Sequence, residues 1–418
     1  MPEATTGESR PRLGRQEAWR ALMVMASATG FSFLVTTFTR PLVPLLAQEL
    51  GAGAARVGAV VAAYAVVPLF LAVPAGALVD LWGCRRLFVA GACGIVLALG
   101  VVGLWPSIPV LLVAQALTGL SELLVIVAGQ TYATSLATGQ DREQHLGWYT
   151  TMVSAGQMVG PLVGGLLADA VGYARSFQAA AALGLLTILV GSRVRDLPRS
   201  PDAAQPRAER ASLKEEWQAL RRILRTGGVR LAIVTSFAIL FTLGVRQGFY
   251  PIFVEGLGFS AGFVGSQLSL RALASMSVRP FMPRIVRLMR GRFPTMFASM
   301  LVSALAILIT PWTRDAVSLS VASVVGGVGL GLIQPLSMLA VAETVDQSER
   351  GLALGARLTG NRLAQVASPL LYGMVAEVAG IEAAFVTGGL VLLAVTASLL
   401  LWRDTFAHLD RPQGQVRA

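Results

Sequence analysis

Apolar blocks of bilayer length alternate with short polar loops along the whole chain. Twelve blocks stand out, at 21–46, 56–79, 86–105, 109–136, 146–169, 173–193, 229–254, 261–282, 293–312, 316–342, 351–377 and 382–402. A hydrocarbon core of about 30 Å takes about 20 residues of helix, and the longer blocks leave room for tilt. In lipid each backbone must satisfy its own hydrogen bonds, which a helix does. The pattern predicts an all-α membrane protein with twelve transmembrane helices. Glycine recurs through the blocks, 44 in all, and small residues let membrane helices approach closely.

The loops set the orientation. On one side they carry Arg85, Arg86, Arg142, a basic run from Arg193 to Arg230, and then Arg284, Arg287, Arg290 and Arg292. On the other side stand Glu49, Asp169, Glu255, Asp315, Glu377 and Glu382, against Arg56, Arg175 and Arg314. Basic loops stay inside, so the chain is expected to be multi-pass in the cell inner membrane with both termini cytoplasmic. Residues 1–20 read as a cytoplasmic N-terminal tail and 403–418 as a C-terminal one. The linker 194–228 ends in a basic amphipathic segment, Ser212–Arg225, expected to lie as a helix on the inner membrane face.

An internal repeat divides the chain into halves at 21–193 and 229–402. A shift of 208 residues lays Gln157, Pro161, Gly165 and Gly172 over Gln365, Pro369, Gly373 and Gly380, with Asp169 over Glu377. A shift of 207 lays Pro44, Leu50, Gly51, Val57 and Gly58 over Pro251, Leu257, Gly258, Val264 and Gly265. The halves share an orientation, so they are parallel repeats of six helices, an arrangement found in transporters that rock around a midplane site.

Composition narrows the function. The chain is 54% hydrophobic and 14% charged, against about 25% charged in a soluble domain. The net charge of +11 sits in the loops, where the positive-inside rule accounts for it and no nucleic-acid partner is needed. Cys84 and Cys93 have neither metal nor disulfide spacing. No nucleophile–base constellation and no Gly-Lys-Ser/Thr phosphate loop is present, so neither an enzyme nor direct ATP drive is expected, and no cofactor.

The loop between the second and third blocks reads Gly76-Ala-Leu-Val-Asp80-Leu-Trp-Gly83-Cys-Arg85-Arg86. It resembles the loop signature of the major facilitator superfamily, Gly-x-Leu-x-Asp-Arg-x-Gly-Arg-Lys, with Leu81 where an Arg is common. The resemblance extends over the chain and implies the major facilitator fold. Asp80 would face the start of span eleven, where a helix N-terminus favours a carboxylate and Arg357 is a candidate partner. This latch would hold the cytoplasmic gate; the alternative is that Asp80 caps its own loop against Arg85 or Arg86. Span five carries Gly156, Gly160, Pro161, Gly164 and Gly165, similar to the motif of the family's drug/proton antiporters. The glycines permit close packing and Pro161 permits a bend; a plain packing seam is the other reading. Span four has Gln115 where many exporters place an Arg.

Ionisable groups at membrane depth are functional candidates by default. Arg40, Glu122, Arg246, Arg271 and Arg362 fall there. Glu122, the one deep acid, is the candidate proton carrier; the alternative is a fixed ion pair, for example with Arg40. The arginine surplus favours an anionic solute, unless Arg40 and Arg246 snorkel outward. Tyr64, Gln130, Gln247, Tyr250 and Gln334 are candidates to complete the cavity. The expected function is proton-coupled efflux of a small organic solute by alternating access, by a monomer. The alternatives are an organic-anion importer or exchanger, and a lipid flippase or membrane sensor on the same scaffold. The halves differ at buried positions: Glu122 faces Leu330, Tyr64 faces Arg271, Ser154 faces Arg362 and Gly160 faces Ser368.

Overall fold

The computed structural model describes residues 14–136, 140–195, 221–222, 224, 226–344 and 350–400. The first half contains α1 (Arg15–Thr39), α2 (Leu42–Glu49), α3 (Ala54–Trp82), α4 (Cys84–Leu104), α5 (Ile108–Ser135), α6 (Gln140–Val171) and α7 (Tyr173–Ser192). The second contains α8 (Gly227–Gly256), α9 (Ala261–Val278), α10 (Met282–Leu288), α11 (Arg292–Leu308), α12 (Ala316–Thr344), α13 (Arg350–Ala379) and α14 (Ile381–Leu400). Most of the amphipathic segment expected at Ser212–Arg225 lies outside the described residues.

The twelve blocks appear as helices, with the first split into α1 and α2 at Arg40–Pro41, where proline removes a backbone donor. Among the described residues ten helices are apolar and long enough to cross a membrane, counting α1 and α2 as one. The two that fall short are α9, interrupted by Gln267 and Arg271, and α13, interrupted by Arg357, Asn361, Arg362 and Gln365. Polar groups within a spanning helix belong on a side away from lipid, so these two helices mark the interior of the bundle.

The repeat is visible in the packing. Within the first half α1 packs on α6 and α7, α3 on α5, and α4 on α5 and α7. The second half reproduces each pairing: α8 on α13 and α14, α9 on α12, and α11 on α12 and α14. Between the halves, α3 packs on α13 and α6 on α9, two contacts that interchange under the repeat.

These two crossings are built from glycine and backbone. A β-carbon on Gly58 would overlap the Pro369 carbonyl oxygen, and one on Gly265, its repeat partner, would overlap that of Pro161. Farther toward the acid-rich end, Asp169 Oδ2 accepts from the Gly262 N–H at 2.9 Å. Its repeat partner Glu377 accepts from the Ala55 N–H through Oε2 at 3.0 Å. Each carboxylate reaches the first turn of a helix in the opposite half, where free N–H groups and the helix dipole favour negative charge. Tyr173 adds a hydrogen bond from its hydroxyl to Glu255 across the same end. The halves are thus sealed at the acid-rich end. In the adjacent loop, Asp315 accepts from the Ser318 hydroxyl at 2.6 Å and from the Val317 and Ser318 N–H groups at 3.0 Å. Those bonds hold its carboxyl below the usual carboxylate range.

Gly156, Gly160 and Gly164 turn the other way, onto α1. They receive the backbones of Gly30, Leu34 and Phe38, one turn apart on each helix. The helix α6 runs unbroken through Pro161. Gly160 makes room for the Thr37 hydroxyl, while in the second half Gly244, the partner of Thr37, makes room for Ser368. The bulky and small members of this contact have exchanged helices, which accounts for one of the repeat's mismatches.

Gly58→Val and Gly265→Val should wedge the acid-rich seam open. A single cysteine at Gln247, with Cys84 and Cys93 replaced by serine, should then react faster with an impermeant thiol reagent added from that side. Gly147→Ala, with nothing within 4 Å of the added carbon, should leave the rate unchanged.

Candidate functional site

Below the seam the halves enclose a lumen of two adjoining lobes, about 240 Å³ against the first half and about 230 Å³ against the second. Arg40, Gln157 and Gln247 line both. Together the lobes fall in the range of about 300–1,000 Å³ that holds small organic ligands. Arg279, at the Arg-rich end of α9, lines the second lobe, so this lobe extends away from the seam.

The first lobe is organised around an ion pair. Arg40 sits at the break between α1 and α2, and its Nη2 lies 3.5 Å from Glu122 Oε1. The same nitrogen donates to the Tyr64 hydroxyl at 3.3 Å. Local packing puts the three together. Gly119 lets the Tyr64 carbonyl approach α5 so closely that a β-carbon there would overlap it, and Glu122 follows three residues later on the same helix. Glu122 is 4% exposed, and its Oε2 has no hydrogen-bond partner among the described residues. Arg362 lines this lobe and donates to Gln365 Oε1 at 3.0 Å.

The second lobe has the same frame and different charge. Gly327, the repeat partner of Gly119, receives the Arg271 carbonyl as Gly119 receives that of Tyr64. Arg271 therefore occupies the place of Tyr64, Gln247 that of Arg40, and Leu330 that of Glu122; all three line the lobe. Arg271 makes no hydrogen bond or ion pair among the described residues, and its Nε is buried without a partner. Arg246 is 3% exposed. It donates to the Ala306 carbonyl at 3.3 Å and to Thr310 Oγ1 at 3.5 Å, and its guanidinium lies 5.4 Å from the Tyr250 ring centroid.

Other candidates lie elsewhere. Tyr250 is buried against α12, its hydroxyl 3.3 Å from Ser323 Oγ. Gln334 accepts from Arg357 Nη2 at 2.6 Å, and Arg357 Nε donates to Ser337 Oγ at 2.9 Å. Arg357 is thus buried and engaged inside the second half. Gln130 is exposed on α5 and lines neither lobe. In the gate loop, Gly83 makes the α3–α4 turn at φ 81° and Arg85 and Arg86 are exposed; Gly76 and Asp80 lie in the last turns of α3, and the Asp80 side chain lies outside what the structure describes. Sequence reasoning passed over Gln157 and Gln365 as ligand groups, although both line the first lobe. Their signal was the repeat, in which each overlies the other. Gln115 lines the same lobe.

Comparison with known proteins places these features in a family. The profile of the Major Facilitator Superfamily matches residues 25–294 and 235–416. Multidrug resistance protein 1 of Bacillus subtilis is 22% identical over 390 residues, covering 93% of this chain and 97% of that protein. Tetracycline resistance protein, class C, of Escherichia coli is 24% identical over 363 residues, covering 84% and 88%. Among solved structures, the nucleoside transporter NupG superposes with a TM-score of 0.75 at 13% identity, covering 91% of this chain and 98% of that one.

Arg357 and Arg271, both in the second half, should respond differently to removal. Arg357→Met breaks two charged hydrogen bonds, each contributing about 1.5–3 kcal/mol, and should lower the thermal midpoint of the purified protein by several degrees. Arg271→Met removes a cation with no partner and should leave the midpoint unchanged or raised.

Proposed function

This chain belongs to the major facilitator superfamily, and from that premise we propose that it exports small organic molecules, with Glu122 as its proton carrier. It is a multi-pass membrane transporter and not an enzyme. Its relatives are named for multidrug and tetracycline resistance, which supports export of drug-like molecules. We place it in the cell inner membrane as a monomer with both termini cytoplasmic, the Arg-rich end facing inward.

The observation that carries the coupling is the Arg40–Glu122 pair. Glu122 is the one carboxylate among the described residues lining either lobe. While ionised, it holds Arg40 across the lobe. Taking a proton cancels that attraction and frees Arg40, whose other bond among the described residues is to the Tyr64 hydroxyl. A change of partner at the lumen wall biases the halves between two arrangements, which is what a coupling group must do. Asp80, with Arg357 or its own loop arginines, is the corresponding candidate for holding the opposite gate.

Proteoliposomes with an imposed proton gradient and tetracycline as probe test the reading. Wild type should accumulate the probe against its gradient. Glu122→Gln should lose that accumulation by tenfold or more while still exchanging probe at equal pH on both sides. Gradient-driven uptake by Glu122→Gln at the wild-type level would remove Glu122 as the coupling group.

A further inference from the structure

We infer that the second lobe is a subsite for the acidic group of an organic anion, with Arg271 as its principal ligand and Arg246 beside it. The inference rests on the transporter reading and specifies what is carried. It follows from a comparison of the two lobes position by position. In the first half, a cation, a phenol and a carboxylate meet around Gly119: Arg40, Tyr64 and Glu122. In the second half the same backbone frame, closed by Gly327 on the Arg271 carbonyl, presents Gln247, Arg271 and Leu330. The cation has moved to another corner of the frame, and the carboxylate has been replaced by an apolar side chain. The first triad is neutral as a unit; the second carries a positive charge that no carboxylate among the described residues lining this lobe balances.

The rest of the lobe deepens that imbalance. Arg246 is more than nine-tenths buried and, among the described residues, bonded to a carbonyl and a hydroxyl, with an aromatic ring beneath it. None of these offsets its charge. Over both lobes the lining arginines are Arg40, Arg246, Arg271, Arg279 and Arg362, against Glu122 alone. Unbalanced charge in a low-dielectric cavity is costly, and an incoming anion relieves the cost while making charge-assisted hydrogen bonds. A guanidinium offers a planar fork suited to a carboxylate. Leu243, Leu268, Ala272, Met276 and Leu330 also line the lobe and suit an apolar body. The ligand class is therefore a small amphipathic organic acid. An inside-negative membrane potential drives such an anion outward, in agreement with export.

Benzoate, benzamide and benzamidine form a size-matched set of anion, neutral and cation. Their effect on the thermal midpoint of the full-length protein in detergent reads the subsite directly. Benzoate should stabilise at concentrations at least tenfold below those needed for the other two. Arg271→Gln should abolish the preference. Leu330→Glu, which supplies the missing carboxylate from the protein itself, should raise the midpoint of the unliganded protein and abolish benzoate binding. Glu122→Gln should keep or tighten benzoate binding, since it removes the lumen's own negative charge, while losing proton-driven transport. Equal effects of the three probes would overturn the inference, as would benzoate binding that survives in Arg271→Gln or Leu330→Glu. Stabilisation by phosphatidylglycerol but not by benzoate would assign the anion site to the bilayer and overturn it as a solute site. Loss of proton drive in Glu122→Gln with no anion preference would leave the export reading standing and sink this one. The reverse result would sink the coupling assignment and leave the subsite.

Discussion

The halves of this transporter meet where backbone touches backbone. Gly58 and Gly265 remove the side chains that would hold α3 from α13 and α6 from α9, and the carbonyls of Pro369 and Pro161 fill the space. In lipid there is little hydrophobic drive for helices to associate, so close packing must supply the attraction. Once the acid-rich end is closed in this way, some polar groups of α9 and α13 are covered by α12, as Gln267 and Arg357 are, while Arg271, Arg362 and Gln365 face a lumen.

Much of this was legible in the sequence. Hydropathy marked the spans, and the repeat matched residues that play the same part at the two crossings: Gly58 and Gly265, each against a proline carbonyl, and Asp169 and Glu377, each on the first turn of a helix in the opposite half. A repeat is read from identities, and identities are what the seam and the helix crossings require. The lumen was less legible because its residues differ between the halves. Tyr250 and Gln334 lie at membrane depth like true lining residues, yet their hydrogen bonds run to Ser323 and Arg357 within their own half. Depth can be read from hydropathy; the direction of a side chain on a helix packed on several sides cannot. Gln157 and Gln365 were visible as repeat partners but not as lining groups, since a glutamine between apolar residues has no distinguishing pattern.

Glu122 and Arg40 illustrate the same limit. Two charges 82 positions apart offer no sequence signal that they meet. What brings them to 3.5 Å is a helix break at Pro41 and the small Gly119 between α3 and α5. Charge at depth said that something ionic happens in the bundle; the backbone decided between whom. The repeat fixes where the halves touch, while the unmatched side chains give the two lobes their different charge.

The seam and the lumen are made of different materials, and this bears on how the protein could be blocked. A molecule seated in the lumen would be exposed to every substitution that alters lining side chains. A molecule wedged against Gly58 and Pro369, or against Gly265 and Pro161, would contact main chain. Escape from such a blocker would require a larger residue at a position where the opposing carbonyl leaves no room for even a methyl group. Resistance to the blocker would then cost closure of the transporter itself.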